Sequence, residues 1–90
     1  MARHLSAMKR ARQNKKRRAR NQARKSRVKS VVRDVRQAVA ENNLEGATTA
    51  LQKATPIIAK VASKGALHWK TAARKISRLT KQVNSLKAAQ

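Results

Sequence analysis

Cysteine, phenylalanine and tyrosine are absent, and the 90 residues hold only one tryptophan, one proline, two glycines and three carboxylates. Each scarcity excludes something. Without cysteine there is no disulfide staple and no thiolate metal site, which suits a reducing cytosol. With one aromatic ring, and alanine supplying much of the apolar share, the chain can fill a narrow seam between helices but not a thick core. Asp34, Glu41 and Glu45 are the only acids, and they read as helix-surface or capping charges. No Gly-rich phosphate loop, nucleophile motif or metal-ligand spacing occurs, so neither enzyme activity, metal nor cofactor is expected. No apolar run approaches the ~18 residues of a membrane span. The basic N-terminus is followed by no hydrophobic signal region, so secretion is not expected.

What remains is helix-forming sequence. Gly46, Gly65 and Pro56 are the only strong breakers, and Ala, Arg, Lys, Gln and Leu are abundant. The chain reads as one domain, 1–90, of all-α class: an antiparallel three-helix bundle with a long, basic, protruding first helix. The first helix spans 6–41, with Ser6 as N-cap. Its apolar stripe, Val28, Val31, Val32, Val35, Ala38 and Val39, begins late and covers only ~18 Å. Asn42 and Asn43 then offer a break and a new cap. The second helix spans 44–63, with Leu44, Ala47, Leu51, Ala54, Ile58 and Val61 on one stripe. Pro56 should bend it, and Gly65 suits a left-handed C-terminal cap. The third spans 67–87, with Ile76, Leu79, Val83 and Leu86 as its seam and Arg74, Lys75, Arg78 and Lys81 facing outward.

Charge dominates function. Twenty-four Lys and Arg face three acids, a net charge of +21. Self-repulsion at that density calls for a polyanion, and phosphates supply one with favourable counterion release. Thirteen of these cations lie between Met1 and Ser30 with no acid among them. They include Arg3, Lys9, Arg10, Arg12, Lys15, Lys16, Arg17, Arg18, Arg20, Arg24, Lys25 and Lys29. In a helix they point all round the axis, which suits burial among RNA backbones and leaves no apolar face for a membrane. Arginine adds planar, bidentate contact with phosphate oxygens. Gln13, Asn14, Asn21 and Gln22 add donors and acceptors for sugars or base edges; solvent-facing surface is the plainer role for each. Like charges four apart, and cations at a helix N-terminus, disfavour this arm alone, so it should fold when phosphates arrive.

A second constellation surrounds the start of the third helix. Lys64, His68, Lys70 and Thr71 flank amides that favour phosphate oxygens. Trp69 has no aromatic neighbours for a stacking platform, so packing on the bundle or a mixed role is expected. His68 has only the distant His4 as a companion, and it reads as an RNA contact or as exposed surface.

Two stretches carry a resemblance. Ser6-Ala7-Met8-Lys9-Arg10 with Arg12-Gln13-Asn14 through Asn21 looks like the N-terminus of the ribosomal protein twenty family of the bacterial small subunit. Ser63-Lys64-Gly65 through His68, then Thr71-Ala72-Ala73-Arg74-Lys75 and Ser77-Arg78-Leu79, resembles that family's hallmark. The resemblance implies a non-enzymatic constituent of the cytoplasmic 30S subunit. It implies direct binding to 16S rRNA, bridging the 5′ domain and the penultimate helix during assembly. Few protein contacts and a monomer outside the ribosome go with it. Carried over, the contacts are the basic and amide residues of the first motif with Lys64, His68, Thr71, Arg74, Lys75, Ser77 and Arg78. Trp69 and Lys70 stand where the family often has a basic residue and an asparagine.

Two other readings compete. A histone-like DNA-binding protein fits the composition, but no recognition-helix signature or minor-groove wedge is present. A membrane-active helix needs an apolar face beside its charge, and residues 9–27 lack one.

Overall fold

The computed structural model describes residues 2–90, with side chains from Leu5 onward. Three helices account for most of it: α1 (Ala2–Ala40), α2 (Leu44–Ser63) and α3 (Trp69–Ala89), with no strand among the described residues. All three helices contact one another. Their order is antiparallel. The Gln90 side chain at the end of α3 donates to the Asn42 carbonyl in the α1–α2 turn, 3.0 Å away, so α3 returns to where α2 begins.

The two asparagines explain the first turn. Asn42 adopts a left-handed conformation, φ 56°, which its short polar side chain tolerates. The Asn42 N–H donates to Val39 and the Asn43 N–H reaches back to Ala38, closing the last carbonyls of α1. Asn43 then caps α2, its Oδ1 accepting the Gly46 N–H at 2.9 Å. At the far end of α2, Gly65 takes φ 80° and its N–H donates to Ala62. Pro56 sits exposed within α2 without interrupting it.

Two helix starts differ from expectation. α1 begins at Ala2, so Ser6 lies inside the helix and is not its cap. α3 begins at Trp69, two residues later than the Leu67 start, because His68 is extended and caps it: its Nδ1 accepts the Lys70 N–H at 3.2 Å.

The core is one thin seam. Val28, Val32 and Val35 of α1 meet Ala47, Ala54, Ile58 and Val61 of α2 and Ala72, Leu79, Val83 and Leu86 of α3. Alanines at 47, 54 and 72 let the helices approach closely, and Val35, Ile58 and Leu79 fill the space with side chains almost wholly removed from water. Each such side chain stabilises by about 1.5–3 kcal/mol. Every residue from Leu5 to Arg20 is exposed. The bundle therefore holds only the second half of α1, and the first half projects by about 28 Å.

Candidate nucleic-acid interface

α1 meets the bundle only from about Asn21 onward, and its apolar stripe begins at Val28, which decides where its cations go. Lys9, Arg10, Arg12, Lys15, Lys16, Arg17, Arg18 and Arg20, with Gln13 and Asn14, all stand exposed on the projecting half. At 100° per residue they occupy every side of the helix. Arg3 lies outside the residues whose side chains are described. Asn21 and Arg24 are half-buried at the base of the arm, where the Arg24 guanidinium donates to Asn21 Oδ1 at 3.4 Å. Lys25 and Lys29 are exposed.

The bundle continues the positive surface in three places. Between α1 and α2, Arg24 and Arg27 face Lys60 and Lys64 across an open groove floored by Pro56, Ile57 and Val61. Between α1 and α3, Lys29, Arg33, Arg36 and Gln37 share a groove with Lys75. On α3, Arg74, Ser77, Arg78 and Lys81 form a shallow patch. No carboxylate lines any of the three. Asp34 and Glu45 instead line a separate groove beside the α1–α2 turn, and Glu41 accepts from Gln37 at 3.3 Å near the same end. The acids thus sit at the end of the bundle away from the arm.

Arg27, Arg33, Arg36, Lys60 and Lys81 are cations of these surfaces that were not among the expected contacts. Helical spacing was their available signal: Arg33 and Arg36 lie three apart, off the valine stripe, and Lys60 lies off the Ile58–Val61 stripe. Two expectations need correction. Lys75 does not face freely outward; it is half-buried in the α1–α3 groove, as Thr71 is half-buried one turn earlier. Of the packing or mixed role expected of Trp69, burial in the bundle does not hold, the residue being 66% exposed. Ala66 and Ala72, each three residues from it in sequence, are buried in the core, while the indole is left outside.

Among the described residues no three His, Cys, Asp or Glu side chains gather as metal ligands, and no helix is long and apolar enough to cross a membrane. The surface offers dense, exposed guanidinium and ammonium groups, the chemistry that neutralises rows of phosphate.

The family described as Ribosomal protein S20 matches residues 2–84, from the arm through most of α3. The chain belongs to the ribosomal protein S20 family. Similar proteins cover nearly all of it. Small ribosomal subunit protein bS20 of Nitratidesulfovibrio vulgaris strain DP4 is 56% identical over 86 residues, 96% of this chain and 99% of that protein. The bS20 proteins of Trichlorobacter lovleyi and Syntrophobacter fumaroxidans are each 51% identical, over 96% of this chain and 99% and 100% of theirs. As an S20 family member the chain is one of a set of ribosomal structural proteins, a family not known to be enzymatic. The arm and all three cationic bundle surfaces fall within the matched span.

Proposed function

We propose that this protein is a structural constituent of the small ribosomal subunit in the bacterial cytoplasm. It binds 16S rRNA directly, helps it fold during assembly, and bridges the 5′ domain and the penultimate helix. The whole chain acts as one unit. Arg3, Lys9, Arg10, Arg12, Gln13, Asn14, Lys15, Lys16, Arg17, Arg18, Arg20, Asn21, Arg24, Lys25 and Lys29 serve one RNA segment from the arm and its base. Lys64, His68, Lys70, Thr71, Arg74, Lys75, Ser77 and Arg78 serve another from the bundle.

The observation that carries this reading is a helix exposed and basic on every side over residues 5–20, in a chain of the S20 family. A helix against one phosphate row needs one basic stripe; a helix buried among several needs them all round. The bundle supports a bridge because its own cations face different directions, in the α1–α2 groove, the α1–α3 groove and the outer face of α3.

The test compares binding to a 16S rRNA transcript with binding to duplex DNA of similar length, across salt. Specific binding to the transcript is expected, falling steeply with salt. By analogy with duplex DNA, six to ten phosphate contacts cost about 10³–10⁵ in affinity between roughly 50 and 200 mM salt. Equal affinity for both polymers at every salt concentration would contradict the proposal.

A further inference from the structure

Resting on the rRNA-binding reading above, we infer that Trp69, held beside His68 at the start of α3, is a stacking platform for one unpaired base of the small-subunit rRNA. The observation is an indole left in solvent where a structural role would bury it. Trp69 is 66% exposed, while Ala66 and Ala72, each three residues from it in sequence, are buried in the core. Tryptophan carries a large apolar surface whose burial stabilises strongly, so packing does not explain its outward position.

Its surroundings select the occupant. The His68 ring is tied down as the α3 cap through Nδ1, and the indole lies nearly parallel to it, 22° between planes and 6.0 Å between centroids. With Nδ1 accepting, the ring proton belongs on Nε2, which is a donor for a sugar or phosphate oxygen. The Lys70 ammonium stands over the indole ring, 5.6 Å from its centroid. The three acids lie beside the α1–α2 turn, at the other end of the bundle, so no acidic side chain near the start of α3 repels a phosphate. An exposed indole with a donor beside it and a flexible, exposed lysine over it matches a nucleotide: the base takes the ring face from which the Lys70 side chain swings, and its phosphates take Lys70 and His68. Paired bases are already stacked on both sides, so the occupant is a splayed or terminal base. An apolar protein surface would gain the ring but leave the charged lysine without a counterpart.

The only tryptophan, in a chain without tyrosine, makes fluorescence specific to this site. The full-length protein is titrated with a 16S rRNA transcript while emission and acrylamide access are followed. Quenching and shielding are expected to saturate at the concentration where binding saturates. Trp69→Ala should weaken binding roughly tenfold, as loss of one base–aromatic stack does. Trp69→Phe should keep most of the affinity and Trp69→Leu should resemble Trp69→Ala, with circular dichroism and melting unchanged because the side chain is exposed. The inference is overturned if Trp69→Ala binds like the parent, or if Leu serves as well as Phe, which would mean apolar contact without stacking. It is overturned too if a fully paired RNA duplex shields the indole equally, or if shielding arises only in assembled subunits, where the occupant would be a protein. Failure of the parent protein to bind the transcript would remove the rRNA reading itself. Binding with an indifferent indole removes only the platform.

Discussion

Asn43 does two things in one turn. Its backbone N–H closes the end of α1 against Ala38, and its Oδ1 opens α2 by accepting from Gly46. A Cβ on Gly46 would lie 2.5 Å from Asn43 Nδ2, so the capping side chain must leave if residue 46 is enlarged. Asn43→Ala alone should cost about 1 kcal/mol. Gly46→Ala alone should change little, since a helix gain of about 0.8–1.0 kcal/mol offsets the lost cap. In the Asn43→Ala background, Gly46→Ala should instead stabilise by about 1 kcal/mol, because no cap is left to lose. Urea unfolding of the four proteins checks this; additive effects would mean the cap and Gly46 are independent. Two positions on α3 divide packing from binding. Leu79 is almost fully buried, so Leu79→Ala should cost about 2–5 kcal/mol. Arg74 and Arg78 are exposed, so their double alanine variant should melt like the parent while rRNA affinity falls through lost phosphate contacts. Thermal unfolding beside rRNA binding separates the two, and an unfolded double variant would refute the division.

Among the elements, α1 is the least uniform. Its 39 residues span about 58 Å, and only the second half has apolar residues at helical spacing. That division was legible in the sequence, since valines begin at Val28 while residues 9–20 carry charge on all sides. So were the asparagine turn and the glycine end of α2, because left-handed positions select few residue types. Helix starts were less legible. Ser6 is a good cap by type, but nothing upstream stops the helix, and it continues to Ala2. At α3, a histidine in place of a common capping residue hid the start. The cationic surface was legible as charge but not as grooves: the pairing of Arg24 and Arg27 with Lys60 and Lys64 exists only once α1 and α2 lie antiparallel. The exposed half of α1 has no acid in its first turn and no packed side chain over residues 5–20, so little beyond its own hydrogen bonds holds it helical. In the free protein its amides should exchange fast, while those around Val35, Ile58 and Leu79 are protected. Bound to rRNA, the arm should gain protection. Strong protection of the arm without RNA would contradict folding on binding.

At the scale of the whole molecule, the chain is 68 × 21 × 14 Å, far longer than a 90-residue ball. The elongation comes from the arm, and the arm adds no core. A shape with so many residues outside its core fits the proposed bridge between rRNA segments, with the thin bundle orienting its cations. The acids confined beside the α1–α2 turn leave the arm, the two basic grooves and the outer face of α3 free of nearby negative charge. Hydroxyl-radical footprinting of 16S rRNA, with and without the full-length protein, tests the bridge most directly. The expected result is protection of two separate regions, one in the 5′ domain and one in the penultimate helix, with the arm's region lost in a variant whose residues 9–20 carry glutamine for every Lys and Arg. Protection of a single region, or none that survives competition by duplex DNA, would contradict it.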